Sequence, residues 1–422
     1  NRFGLAYWLQ ADEDHLGLPF VGLEGYPPVA ATGATATVRT FSRPELAGHL
    51  TAAGLTAQRW YQPFPDYKLP TTVLTDRCYD QPDAVDLVDQ LVGPPIDRSR
   101  MGGRVSADER AIHRQVIGAG HGADMANSFL VVAATDDTAL DRRSDGDALA
   151  WRFTGDRRRA HLRVRRLTDD GVRRIDRRAT HPVDTATGDG RWLVLRSPGG
   201  ATDDYTPGPN LEQVALDRIR AGDLTGVRVV LAAWSAVADR GAVHRTVSDA
   251  EAHPFLSAGS RTVLPGDHLD LGLDNLVGPV DRPDELRFVD DEWEATGGVD
   301  RHLVAVRTCW KLAAALVAGG TRHPWPPSTT VDRLADKLCA LLPDGSPTAT
   351  VDHLHLAEAS LRIEAVGGDL ATHVAQLRAV GRRSVADPTV GSGGRSPLGR
   401  RLAALKRLPG GGRLADLVRR LR

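Results

Sequence analysis

The segment 268–290 holds the residues whose types and spacing are most suited to chemistry. His268-Leu269-Asp270-Leu271-Gly272-Leu273-Asp274-Asn275 has the pattern H-x-D-x-x-x-x-N, and Leu286-Arg287-Phe288-Val289-Asp290 follows as an apolar run ending in a carboxylate. Phosphoryl transfer uses such a set: one Asp orients the acceptor hydroxyl, while an Asn and a second Asp hold magnesium against the phosphates. The register selects Asp270, because the same interval counted from Asp267 ends on Gly272, which cannot ligate. Asn275 and Asp290 are then the metal candidates. Two carboxylates converging in a cleft are costly without a cation. Magnesium suits oxygen ligands completed by water and phosphates. Mg and ATP are therefore the cofactors expected at this site.

Other residues fit that chemistry less well. No lysine lies between Lys68 and Lys311, so a strand meant to present a phosphate-binding Lys offers only arginines such as Arg174 and Arg177. A guanidinium is charged but is not equivalent to a compact ammonium. The nearest candidate for a glycine-rich loop is Phe153-Thr154-Gly155-Asp156. Near the start, Glu13, Asp14 and His15 form a second cluster able to take a proton from an acceptor hydroxyl. The same three residues also suit a polar loop capping its own backbone. Gly118-Ala119-Gly120-His121-Gly122 imitates a cofactor-binding glycine turn, but such a turn must leave a strand. Ala111 to Ile117 reads as a helix, so Gly118 is expected to end it. Asp66-Tyr67-Lys68 reads as a structural turn. His353 and His355 sit two apart on a helix, on different faces, and make poor joint ligands.

The elements that must position these residues are partly legible. Ser42 and Glu45 form a capping box before Leu46 and Leu50, Phe41 can staple against Leu46, and Gly54 ends the helix. Strands are expected at 56–61 and 71–75, a helix over 84–117, and a strand at 129–134. Further strands are expected at 162–167, 172–178 and 192–195. Helices follow at 211–220, 227–237, 302–318, 331–342, 351–366 and 370–380, with an irregular stretch before 302. Strands followed mostly by helices suggest a two-lobed α+β unit. The 422 residues suit two or three domains. Lys+Arg 53 against Asp+Glu 54 gives a net charge of −1, which offers no general reason to expect nucleic acid as a partner. Cys78, Cys309 and Cys339 are scattered, so neither a disulfide framework nor a zinc site is expected. A reducing, cytoplasmic setting fits best. The basic tail with Arg400, Arg401, Lys406 and Arg407 is read as a solvated end, with peripheral membrane contact as the rival.

Two resemblances organise these observations. Asn1-Arg2-Phe3-Gly4-Leu5, Glu13-Asp14-His15-x-Gly17, Glu24-Gly25-Tyr26, Arg39-Thr40-Phe41-Ser42-x-x-Glu45-Leu46 and Pro63-Phe64-Pro65-Asp66-Tyr67-Lys68 resemble the C-terminal half of class I S-adenosylmethionine-dependent methyltransferases, especially those encoded beside bacterial polysaccharide glycosyltransferases. The likeness extends to Ala126-Asn127-Ser128-Phe129-Leu130-Val131-Val132-Ala133. It implies the last strands and helix of a doubly wound α/β fold, with the cofactor half preceding residue 1. It also implies methyl transfer from S-adenosylmethionine to a sugar hydroxyl, with Glu13, Asp14 and His15 near the acceptor. Separately, Asp204-Tyr205-Thr206-Pro207-Gly208-Pro209-Asn210-Leu211, the 268–275 motif and Asp290-Asp291-Glu292-Trp293-Glu294 resemble aminoglycoside-phosphotransferase-like kinases. The expected organisation is a methyltransferase C-terminal portion over 1–77, a helical connector over 78–140, a kinase-like N-lobe over 141–203, a helical C-lobe over 204–380 and a basic tail over 381–422. The expected function is a fragment of a polysaccharide-pathway methyltransferase fused to a kinase-like domain, with a glycan or sugar as substrate. A catalytically silent kinase-like scaffold, binding a glycosyltransferase or glycan, is the alternative.

Overall fold

The computed structural model describes residues 1–9, 11, 19–26, 39–92, 107–142, 146–155, 157–180, 192–196, 201–345 and 347–386. Glu13, Asp14 and His15, and the tail from 387 onward, lie outside the described residues.

The chain is a mixed helix-and-sheet protein built on one large antiparallel sheet. The helices longer than one or two turns are α1 (Arg43–Ala52), α2 (Ala84–Leu91), α3 (Glu109–Gly118), α4 (Leu211–Arg220), α5 (Leu224–Ala238), α6 (Arg301–Gly319), α7 (Val331–Cys339), α8 (Val351–Ala365) and α9 (Leu370–Gly381). The strands are β1 (Ala57–Phe64), β2 (Thr72–Thr75), β3 (Leu130–Ala134), β4 (Ala148–Phe153), β5 (Arg163–Asp169), β6 (Arg173–Ala179), β7 (Leu193–Leu195), β8 (Ala201–Asp204), β9 (Val243–Val247), β10 (Gly259–Leu264), β11 (Leu276–Val277), β12 (Arg287–Phe288), β13 (Trp293–Ala295) and β14 (Val299–Asp300).

Capping chemistry sets the helix starts. The Ser42 amide and hydroxyl both donate to Glu45 at 2.8 Å, completing the expected box ahead of α1. Phe41 packs edge-on against His49, further along α1 than the expected staple at Leu46. Gly54 takes φ +84°, a left-handed conformation open to glycine, and closes the turn after α1. Asn210 caps α4 by accepting from the Glu212 amide at 3.0 Å. Helix α3 ends at Gly118, so the glycines after it follow a helix and not a strand.

The large sheet has the order β3-β1-β2-β4-β5-β6-β8. The hairpin expected near 56–75 is present as β1–β2, but the next neighbour of β2 is β4, and every pairing is antiparallel. A doubly wound domain adds parallel neighbours through helical crossovers. Here the chain leaves β2 for two longer helices and β3 before β4 returns antiparallel to β2, and shorter connections then add β5 and β6, so the sheet runs through the positions 77/78 and 140/141. A smaller apolar core lies against this sheet around Leu74, Leu87, Leu149 and Leu167. A larger one gathers α4 to α9 around Leu216, Trp234, Leu303 and Leu338. The stretch before residue 302 read as irregular contains the three-stranded sheet β14-β10-β9. Among the described residues, Arg301–Gly319 is the one helix long and apolar enough to cross a membrane, and most of it is buried in the larger core.

Candidate functional site

The 266–290 segment is held from behind by α5 and α6, two helices of the larger core. Two 3-10 turns, Gly266–Asp270 and Leu273–Asn275, place Asp270 and Asn275 on successive bends. The Trp234 indole donates to the Leu271 carbonyl at 2.9 Å, the Thr308 hydroxyl donates to the same oxygen at 3.1 Å, and Arg307 donates to the Leu269 carbonyl at 3.1 Å. These bonds satisfy backbone groups that a buried loop would otherwise leave unpaired. Asn275 Nδ2 donates to the Asp270 carbonyl at 2.9 Å, closing the loop on itself.

A two-stranded hairpin then returns the chain to the same place. β11 pairs with β12 in the register Leu276↔Phe288, and the Val289 amide donates to the Asn275 carbonyl at 3.0 Å. Asp290 therefore emerges beside Asn275 although fifteen positions separate them. The 204–211 segment packs on this hairpin: Gly278 donates to the Pro209 carbonyl at 3.1 Å, and Asn210 Nδ2 donates to the Asp274 carbonyl at 2.7 Å. Gly208, at φ +124°, lies where a Cβ would come within 3.3 Å of the Gly278 Cα, so both the backbone conformation and the close approach favour glycine there.

The structure thus brings Asp270, Asn275 and Asp290 to one point, and it also supplies their counter-charges. Arg307 donates to Asp270 Oδ1 at 2.5 Å and Lys311 to the same oxygen at 3.2 Å, while Lys311 reaches Asp274 at 2.6 Å. Burial pushes the Asp270 carboxyl up, but Lys311 and Arg307 outweigh it and hold the group well below the usual carboxylate range. Asp290 gives both its oxygens to Arg165 of β5, at 3.0 and 2.5 Å. Burial again raises this carboxyl, and Arg165 more than reverses the effect. Glu292 takes Arg157 at 2.5 Å and Arg165 at 3.3 Å. The expected need for a divalent cation is therefore met by guanidinium and ammonium groups. Among the described residues no group of three or more His, Cys, Asp or Glu side chains could hold a metal ion.

No family model, curated protein or solved structure matches this chain.

Several residues that matter here carry no distinguishing signal in the sequence. Arg165 and Arg152 are directly opposite one another across β4 and β5, and Arg177 is opposite Arg165 across β5 and β6. A row of three arginines therefore crosses the sheet and faces the 290–292 turn. Arg177 reaches Asp203 at 2.9 Å and Asp291 at 3.7 Å. Arg174, its companion among the expected candidates, pairs with Asp170 at 3.5 Å on the sheet surface, away from the cleft. Lys311 enters the cleft from α6, not from a strand, so the strand position still carries no lysine. Arg158 donates from its backbone and side chain to the Ala365 and Ile363 carbonyls, joining the approach to β5 to the end of α8.

The remaining expected sites resolve simply. Asp66 Oδ1 accepts from the Lys68 amide at 2.7 Å, so Asp66-Tyr67-Lys68 is a self-capped turn with Tyr67 exposed. His355 is buried against Trp310 and Asp332, with His353 on another face of α8. Asn1 donates to the Asp124 and Ala126 carbonyls at 2.7 and 2.6 Å, and Asn127 Oδ1 accepts from the Ala6 amide at 2.9 Å. The opening motif and the 126–129 segment, related by resemblance in the sequence, are thus in contact.

Proposed function

We propose that residues 141–380 are a kinase-like unit whose cleft has lost phosphoryl transfer and serves as a ligand-binding scaffold, a glycan being the expected ligand class. The observation that carries this reading is the bidentate Arg165–Asp290 pair, which occupies both oxygens a magnesium ion would need. Asp270 points the same way, because a carboxylate held at low pKa by Arg307 and Lys311 is a poor proton acceptor near neutral pH. On the same proposal, residues 1–77 are the closing portion of a methyltransferase fold. The intact reaction would move a methyl group from S-adenosylmethionine to a sugar hydroxyl in cytoplasmic polysaccharide assembly. Support for this assignment comes from the ordered motifs, the β1–β2 hairpin and the Asn1–Asn127 contacts.

Retained phosphoryl transfer is the second reading, favoured by the hairpin that returns Asp290 to Asn275 and by Asp270 Oδ2, which has no protein partner among the described residues. The two separate on one assay, incubation of the chain with magnesium and ATP. The scaffold reading expects no magnesium-dependent phosphate release above buffer. Release that is abolished by Asp270→Asn would establish the second reading in its place.

A further inference from the structure

Most cleft carboxylates hold a cation of their own, and Arg152 is left without a carboxylate of its own. Asp270 and Asp274 are served by Arg307 and Lys311, Asp290 by Arg165, and Glu292 by Arg157. Glu358 accepts from Arg307 at 2.7 Å from behind, with the Arg362 charge beside it. Arg152 has no side-chain hydrogen bond or ion pair among the described residues. It is half-buried, within electrostatic reach of Asp290, Asp274 and Glu292, and directly across the strand pair from Arg165. Like charges facing each other across two strands destabilise a sheet, and burial adds a desolvation cost to a guanidinium with no partner. Burial and the Arg165 charge together push the Arg152 guanidinium below its usual range.

An orphan acceptor completes the pattern. Asp274 lies in the same field, and its Oδ1 is buried without a donor although Oδ2 holds Lys311. A half-buried donor fork and a buried lone acceptor in one cleft are complementary to a ligand bearing an anionic group and a hydroxyl.

We infer that Arg152 is the anchor of a metal-independent binding site for a singly charged oxyanion, with a neighbouring ligand hydroxyl donating to Asp274. Arg152 offers one guanidinium among three carboxylates, which favours a ligand with a single negative charge. A doubly charged group would leave one negative charge uncompensated beside Asp274, Asp290 and Glu292. A hydroxylated carboxylate such as a sugar acid meets both requirements, and a singly ionised phosphoryl group meets the first. The inference rests on the scaffold reading, since a cleft filled by a magnesium–nucleotide complex would leave Arg152 to that ligand.

Calorimetry in EDTA, with sodium glucuronate and inorganic phosphate as separate probes, tests it on the full chain. Wild type is expected to bind at least one probe saturably, Arg152→Gln to bind it about tenfold or more weakly, and Arg152→Lys to fall between, because the ammonium keeps charge but loses the fork. Tighter glucuronate than phosphate assigns a carboxylate ligand; the reverse order assigns a phosphoryl ligand. Without any probe, Arg152→Gln is expected to melt at or above the wild-type temperature, since it removes a repelled, unpartnered charge. No saturable binding by wild type, unchanged binding by Arg152→Gln, or a clearly lower melting temperature for that variant would each overturn the inference. Magnesium-dependent ATP turnover insensitive to Arg152→Gln would sink the scaffold reading while leaving the anion site standing.

Discussion

Replacing Arg165 with Met asks how much of the cleft depends on a protein cation in the place where a metal was expected. Arg165 and Asp290 are only 13% and 14% exposed at their side chains, so their pairing is buried and little screened by solvent. Removing one partner of a buried pair strands the other charge, a loss of about 3–5 kcal/mol. Arg152 stands across the strand pair and can swing toward one Asp290 oxygen, which places the expected cost near the low end, about 3 kcal/mol. Urea unfolding of wild type and Arg165→Met at pH 7.5 measures it. The same titration with magnesium carries a second expectation: the variant frees Asp290 beside Asn275 and gains stability from the ion, whereas wild type does not. The double variant Arg165→Met/Asp290→Leu should recover most of the loss, since apolar groups often replace a buried pair at no net cost. A loss below about 1 kcal/mol, typical of an exposed pair, would refute the reasoning. So would equal magnesium stabilisation of wild type and variant.

Three further outcomes are expected. His113 on α3 is buried against Phe64, and burial pushes its imidazole down to about 4; between an unfolded pKa of about 6.5 and that value only the unfolded chain binds the proton, so stability falls as pH drops, by up to about 3 kcal/mol. Burial pushes Asp89 up to about 7 and gives the opposite slope, so the informative quantity is the difference between wild type and His113→Phe, unfolded at pH 7.5 and pH 5; no difference in slope would contradict this account. Gly266→Ala drives a Cβ into the Ala295 carbonyl oxygen of β13, and overpacking against backbone should cost about 1–3 kcal/mol by urea unfolding, a neutral result counting against the described path of the loop. S-adenosylmethionine should bind the chain weakly or not at all, because its glycine cluster follows α3 and not a strand; clear micromolar calorimetric binding would show that the cofactor site lies elsewhere.

Much of this architecture is legible in the sequence because local chemistry dictates it. Ser42 with Glu45 and Asn210 ahead of Leu211 mark helix starts through side chains that must satisfy orphan amides. The long helices in 301–381 follow from apolar periodicity, and Asp270, Asn275 and Asp290 meet because the intervening residues make a hairpin. The strand β4 escapes such reading, since Ala148-Leu149-Ala150-Trp151-Arg152-Phe153 shows no clean alternation and is packed from both sides up to Ala150. β9 and β10 escape it for a related reason: their residues are largely polar or exposed, so no apolar period announces them. The arginines are the hardest to assign. In a run such as Arg163-Val164-Arg165-Arg166, a shift of one residue in register exchanges the cleft face for the opposite face. Only the pairings Arg152↔Arg165↔Arg177 show which guanidinium groups look toward Asp290. The counter-charges of Asp270 come from α6, more than thirty positions along the chain, and no local pattern links them.

The central claim is that the cleft carboxylates are neutralised by the protein's own cations. Its most direct test is a manganese(II) titration of the wild-type chain, followed by electron paramagnetic resonance of the free ion. The account predicts that the free-ion signal grows as in buffer, with no saturable site, while Arg165→Met acquires one. A saturable wild-type site that disappears in Asp290→Asn would contradict it.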